Sequence, residues 1–252
     1  MPKSVTQFAA FAGAVAAHFK PKRLRKFEVW NEPNIGPGRA DPVFYAELLK
    51  HSIKAIKASN EDAVVSFGAM AGHDDTGGHL WPGDFIDDTL SHLTSEEKAG
   101  IDAFALNAYS APGTPDQKNW WNQIDQIEGP LVKPPPGIKP PKIVYDVMVK
   151  HGLGHIPILQ TEFGEDTSNH TLEEQDITVR EDMERTYKRA RVTGRYCFKL
   201  TDSPGSFGDF GLLTEVVPAK DLNNKTIADK VEKTAARTYK TIAEKLKRKK
   251  AK

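Results

Sequence analysis

The sequence predicts an α/β fold of the (β/α)-barrel kind, with parallel strands joined by helical crossovers. Three observations carry that prediction. Short apolar runs of strand length alternate with helical apolar stripes along the chain. The runs end in polar or acidic residues, at Asn31-Glu32, Asn107 and Glu162, and barrels of this kind keep their chemistry at the C-terminal ends of their strands. The length, 252 residues of which 38% are hydrophobic, suffices for one large domain with a sizeable core.

Taken in order, Phe8, Phe11, Val15 and Phe19 lie at helical spacing, Ser4 and Gln7 match a capping box, and Pro21 closes this first helix. A strand runs from Lys26 to Asn31. Asp41-Pro42 supplies an N-cap and a first-turn proline for a helix whose apolar face is Phe44, Leu48, Leu49, Ile53 and Ile56, and Asn60 stops it. Ala63 to Ala69 is the second strand, with Gly72 to Gly78 as its exit loop. Trp81-Pro82 opens a helix carrying Phe85, Ile86, Leu90 and Leu93, and the third strand, Ile101 to Asn107, ends in Ala108-Tyr109-Ser110.

A helix with Trp120, Trp121, Ile124 and Ile127 and a stiff proline segment at 133–141 interrupt the next loop. Ile143, Val147 and Met148 restart a helix that His151-Gly152 stops. Ile156 to Thr161 is the fourth strand, ending at Glu162-Phe163-Gly164. Thr171 and Glu174 fit a capping box for a long helix through Arg191, closed by Gly194. The fifth strand, Arg195 to Thr201, leads into a Gly-rich loop from Asp202 to Gly211. Ile227, Val231, Ala235, Tyr239, Ile242 and Leu246 make the final helix, and 245–252 is a basic tail.

Composition narrows the function classes. Lys and Arg number 35 against 34 Asp and Glu, a formal charge of +1, so no global field argues for nucleic acid or an anionic membrane. The single cysteine, Cys197, sits in an apolar run and reads as a small hydrophobe. No run of about 18 apolar residues is present to span a membrane. The N-terminal stripe contains Gln7 and His18 and lacks a signal-cleavage pattern, which makes a cytoplasmic location the default expectation. No Gly-rich phosphate loop or nucleophilic Ser/His motif appears, and no cofactor is expected.

The stretch Phe27-Glu-Val-Trp-Asn-Glu-Pro-Asn34 organises the rest. Its apolar part ends abruptly at Asn31-Glu32, and Pro33 cannot donate to a ladder. A strand thereby delivers one acid to its C-terminal rim. Glu162 ends the fourth strand in the same way. Two carboxyls at strand ends can cleave an acetal between sugars, one donating a proton to the leaving oxygen and the other attacking or activating water.

Trp30-Asn31-Glu32-Pro33-Asn34, followed later by Gln160-Thr161-Glu162-Phe163-Gly164, resembles the clan of retaining (β/α)8 glycoside hydrolases that includes family 5 cellulases and family 39 xylosidases. The resemblance implies Glu32 as acid/base and Glu162 as nucleophile. It implies that Asn31 bonds the sugar 2-hydroxyl and that Tyr109 orients the nucleophile. Asn107, Trp30 and His73 complete the expected substrate-binding set. The segment from Phe210 to Leu213, followed by Lys220, looks like the clan's segment after strand eight.

The departures are specific. The clan usually has a tryptophan at the end of strand eight, where this chain reads Phe198-Lys199-Leu200-Thr201-Asp202, and position 107 is Asn where the clan often has His. Trp81, Trp120 and Trp121 either supply a stacking surface from loops or, as is more usual, pack in the core or on the surface. The five strands correspond to strands four through eight of the clan, so 1–252 is expected to be a single glycosidase domain, truncated N-terminally relative to the family. Such a chain leaves the Glu32 and Arg195 strands as unpaired edges. Its expected partners are a carbohydrate substrate and either a second copy or a missing N-terminal segment that completes the barrel. The alternative is a catalytically inactive carbohydrate-binding or assembly module derived from such an enzyme.

Weaker signals surround this core. His73, Asp74, Asp75 and His79 share one loop, but their spacing fits no compact zinc pattern, and no metal is expected there. Asp202 and Asp209 flank the Gly-rich last loop, where either contact with sugar hydroxyls or turn formation accounts for them. Glu28 is expected within the sheet, and Glu165 and Asp166 either tune charge beside Glu162 or cap its turn.

Overall fold

The computed structural model describes residues 1–36, 39–72, 79–109, 125–129, 142–165, 167, 170–187, 191–198, 213–215, 230–232, 237, 239–242 and 244. The described residues divide into two compact units. The first holds Met1–Ala108, those between 119 and 161, and Arg191–Gly194; the second holds Tyr109, those between 162 and 187, and those from 195 onward.

Five strands form one parallel sheet in chain order: β1 (Lys26–Asn31), β2 (Val64–Ala71), β3 (Ala103–Asn107), β4 (Ile158–Phe163) and β5 (Val192–Cys197). Helical crossovers make this the α/β architecture of a partial (β/α)-barrel. β1 and β5 stand at the two ends of the strand order, as the edge strands were expected to do.

In the first unit, helix α1 (Val5–Phe19) is capped by Ser4, whose hydroxyl accepts from the Gln7 amide at 3.3 Å. Helix α2 (Pro42–Ser59) starts at Asp41, whose carboxylate accepts from the Val43 and Phe44 amides, and stops at Asn60. Its inner face, Tyr45, Leu48, Leu49, Ile53 and Ile56, is buried against β1 and β2. Helix α3 (Pro82–Ser91) buries Phe85, Ile86 and Leu90, and the four-residue α4 (Ser95–Lys98) is held by a capping box between Thr94 and Glu97. Helices α5 (Asp125–Glu128) and α6 (Val144–Lys150) follow, the latter burying Val144, Val147 and Met148. All five residues of β3 are buried, as befits a central parallel strand covered on both faces.

The second unit contains α7 (Leu172–Tyr187), preceded by the expected capping box of Thr171 and Glu174. Val179 and Met183 pack with Phe163 in a small cluster that Cys197, Tyr239 and Ile242 border. The Cys197 thiol is pushed up to about 12, first by burial and then by the charge of Asp182. This unit also carries an antiparallel pair, β6 (Leu213–Glu215) with β7 (Lys230–Glu232).

Besides shifts of one or two residues at the ends of β2 and β3, three boundaries differ from the sequence reading. β4 runs on through Phe163, so Glu162 lies inside the strand, because the buried Phe163 belongs to the core. β5 starts at Val192, and Gly194 sits within it where a helix stop was expected. The Arg191 carbonyl already accepts from the Ile158 amide at 3.0 Å, so cross-strand bonding claims these residues and the glycine is not needed as a cap. The final helix was expected from Ile227, but Lys230–Glu232 pairs with Leu213–Glu215: a strand partner overrides helical spacing. Trp120, Trp121, the proline segment and the loop after Leu200 lie outside the described residues.

Candidate active site

Glu32 follows β1, in the first unit, and its position is built by an interrupted ladder. β1 pairs with β2 from Lys26↔Val64 to Val29↔Phe67, and again at Asn31↔Ala69. Between these, Trp30 takes φ 72°, and Glu32 takes φ 48°. Left-handed backbone is costly for non-glycine residues and persists where surrounding contacts over-determine it.

Those contacts are present. The Glu32 amide donates to the Ala69 carbonyl at 2.8 Å, and the Ala40 amide to the Pro33 carbonyl at 2.8 Å. Asn34 is fully buried and acts as a staple. Its Nδ2 donates to the Ala71 and Leu80 carbonyls at 2.9 and 2.8 Å, and its Oδ1 accepts from the Ala71 amide at 2.9 Å. The Leu80 amide returns a bond to the Asn34 carbonyl at 2.9 Å, and His79 Nδ1 accepts from the Gly36 amide at 2.9 Å.

Asn107, at the end of β3, supplies the polar contact to the acid. Its Nδ2 donates to Glu32 Oε1 at 3.0 Å and to Asn31 Oδ1 at 3.2 Å. The amide is oriented from behind by Thr161, whose hydroxyl donates to Asn107 Oδ1 at 2.8 Å. Asn107 is buried, Asn31 exposed and Glu32 half-buried, so this cluster opens outward at the acid. Trp30 packs edge-on against Phe8, with ring centroids 5.5 Å apart.

In the second unit, Tyr109 Oη donates to Glu162 Oε2 at 2.7 Å. Glu165, three residues on, is buried; Thr178 Oγ1 donates to its Oε2 at 3.4 Å, and His170 Nε2 lies 3.5 Å from its Oε1. Gln175 donates to the Glu165 carbonyl at 2.9 Å, tying α7 to the turn after β4.

Of the residues expected at the site, Asn31, Glu32 and Asn107 form one bonded group in the first unit, and Tyr109 and Glu162 form another in the second. His73, Asp74, Asp75, Asp166, Asp202 and Asp209 lie outside the described residues. Among the described residues no group of three or more His, Cys, Asp or Glu is placed to hold a metal ion. The sequence reading passed over Thr161 and Tyr45. A hydroxyl in the buried stripe of α2 was the available signal, since a buried tyrosine usually finds a partner for its O–H.

The fold matches part of the (β/α)-barrel seen in glycoside hydrolases. A family 39 glycoside hydrolase from the gut symbiont Bacteroides cellulosilyticus WH2 superposes with a TM-score of 0.66 at 22% identity, over 98% of this chain and 46% of its own. A monomeric beta-xylosidase from Caulobacter crescentus CB15 superposes at 0.59 and 20% identity, over 96% of this chain and 47% of its own. An exo-beta-1,4-mannosidase from Opitutaceae bacterium strain TAV5 does so at 0.60 and 18%, over 97% and 41%. The chain thus spans about half the length of these proteins. No protein-family model matches it. Among the described residues no helix is long and apolar enough to cross a membrane.

Proposed function

We propose that this chain carries the catalytic rim of a retaining glycoside hydrolase acting on β-linked poly- or oligosaccharides, cellulase- or xylosidase-like. The observation that carries the reading is the handling of the two glutamates. Glu32 follows β1 and Glu162 is the penultimate residue of β4, and each is oriented by a neutral donor, Asn107 for Glu32 and Tyr109 for Glu162. The likeness in fold to a β-xylosidase and an exo-mannosidase supports the substrate class.

In the double displacement, Glu162 attacks the anomeric carbon while Glu32 gives its proton to the departing glycosidic oxygen. The C–O bond breaks and a glycosyl ester forms on Glu162. Glu32, now a carboxylate, takes a proton from water, whose oxygen displaces the ester and regenerates both groups. Asn31 is read as a sugar contact; Trp30, packed edge-on against Phe8 of α1, is not kept as one. The retaining course requires the two carboxyls about 5 to 5.5 Å apart. A crystal structure with a measured separation of about 6.5 to 9.5 Å would convert the reading to an inverting one.

The direct test is a 2-fluoro glycoside inactivator followed by peptide mass spectrometry. The label is expected on Glu162, and Glu162→Gln is expected to abolish turnover. Labelling elsewhere with full activity in the variant would overturn the assignment.

A second reading, an inactive carbohydrate-binding or assembly module, is favoured by the position of β1 and β5 at the ends of the sheet. Calorimetric sugar binding without hydrolysis supports it, and hydrolysis that disappears on mutating Glu32 excludes it. On either reading, further βα units from a second copy or another segment would complete the barrel.

A further inference from the structure

Tyr45 lies on α2 with no exposed surface, and its hydroxyl sits between β1 and β2. It donates to the Val29 carbonyl at 2.7 Å and accepts from the Gly68 amide at 2.8 Å. The strands are in register at Val29↔Phe67 and again at Asn31↔Ala69, so the hydroxyl occupies the step at which Trp30 turns left-handed. Phe67 and Phe85 fix the ring, with centroids 5.1 and 5.5 Å away.

Gly68 makes room for this arrangement. A Cβ there would lie 2.4 Å from the Val29 oxygen and 2.7 Å from the Tyr45 oxygen. A glycine inside a strand often marks such a close approach. Burial pushes the phenol well above the ordinary tyrosine range, so the hydroxyl keeps the proton it donates.

We infer that Tyr45 is a positioning residue for Glu32: its hydroxyl bridges the interrupted ladder and thereby sets the turn that brings the Glu32 carboxyl to Asn107. The inference rests on the reading of Glu32 as acid/base. Without the hydroxyl, the Val29 carbonyl and the Gly68 amide are left unpaired in a dry core, which backbone groups avoid. The strands would relieve this by closing on each other. Trp30 would then relax toward extended backbone, and the side chains after it would be re-aimed, because a change of φ from 72° to extended values rotates the chain beyond it.

The test compares Tyr45→Phe with the unsubstituted protein on two aryl glycosides, one with a poor leaving group that needs the Glu32 proton and one dinitrophenyl glycoside that does not. On the first, kcat is expected to fall about 10²-fold with KM little changed, the effect of roughly 1 Å of misplacement. On the second, kcat/KM, which reports the step up to the glycosyl ester and needs no proton from Glu32, is expected to be nearly unchanged. In a Glu32→Gln background the tyrosine substitution should add nothing further. Equal loss on both substrates, or full additivity, would overturn the inference.

Two measurements decide it without turnover. In the unsubstituted protein, the Tyr45 hydroxyl proton is expected to exchange slowly and to show a through-space NMR contact to the Gly68 amide; absence of that contact overturns the inference even if Tyr45→Phe fails to fold. In folded Tyr45→Phe, the ¹H and ¹⁵N shifts of the Asn107 side-chain amide, which donates to Glu32, should move, and superimposable spectra overturn it. If the unsubstituted protein hydrolyses neither glycoside, the hydrolase reading fails separately and these spectroscopic results still judge Tyr45.

Discussion

Asp87 on α3 and Glu32 after β1 are both carboxylates of the first unit with ordered donors, yet they are neutralised differently. Asp87 is 7% exposed and receives Lys142 Nζ at 2.8 Å, Lys150 Nζ at 2.7 Å and His151 Nε2 at 2.7 Å. Burial alone would raise its pKa, but bonds from Lys142, Lys150 and His151 outweigh burial and hold the carboxyl well below the usual carboxylate range. Glu32 receives one neutral amide, that of Asn107 at 3.0 Å, and among the described residues no lysine or arginine pairs with it. A carboxylate saturated with cations is locked as an anion and joins α3 to α6. One held by an amide is oriented without being paired to a cation.

The largest effect expected from this contrast is on rate. Glu32→Gln should lower kcat/KM on poor-leaving-group glycosides by about 10² to 10⁴-fold, the usual range for a general acid. Its urea-unfolding free energy should stay within about 0.5 kcal/mol, since the amide is isosteric and half-exposed. A melt shifted by several kcal/mol would mean that Glu32 is structural after all, and the contrast would vanish.

Asp87→Asn should do the reverse. Replacing the buried carboxylate removes its charge-assisted hydrogen bonds and costs about 1.5 to 3 kcal/mol, since the two lysines left behind are themselves exposed to solvent. Urea denaturation measures this. At a temperature where the variant remains folded, its kcat should be unchanged, and a rate loss as large as that of Glu32→Gln would break the separation between the two acids.

The acid limb of the stability curve sharpens the same point. Asp87 has a folded pKa depressed below its unfolded value, so its contribution is complete above about pH 4 and is lost as pH falls further, when the native carboxyl must take up a proton. Stability measured from pH 6 to pH 2 should therefore fall more steeply below about pH 4 than in Asp87→Asn. Parallel curves for the two proteins would show that Asp87 is not the group responsible.

The Glu32 half of this contrast was legible in the sequence and the Asp87 half was not. Trp30-Asn31-Glu32-Pro33-Asn34 is contiguous, and its strand boundaries, Lys26 to Asn31, match those observed because apolar residues end abruptly at a proline-linked turn. Asn107 was expected as a substrate contact. Its bond to Glu32 depends on strand register across β2, which periodicity does not encode. Asp87, Lys142, Lys150 and His151 are scattered over more than sixty positions, and each alone reads as a solvated surface charge. Tyr45 was hidden in the same way: its apolar neighbours on α2 announce the buried face, but not the gap between two strands into which the hydroxyl fits.

The smallest effect concerns the far end of the Asp87 group. Lys98, on α4, lies with Nζ 3.2 Å from His151 Nδ1. An ammonium has only donors, so Nδ1 must accept, which leaves the ring proton on Nε2, where it is given to Asp87. Lys98 thus reaches Asp87 only through a neutral ring. Lys98→Met removes one hydrogen bond at a partly exposed position, and its expected cost is about 0.5 to 1.5 kcal/mol. Because Asp87 alone suffices to hold the Nε2 proton, ¹⁵N NMR of His151 should report the same tautomer in the variant. A tautomer switch, or a loss comparable to that of Asp87→Asn, would show that the cation at the end of the chain orders the ring, and that the Asp87 group is held from both ends.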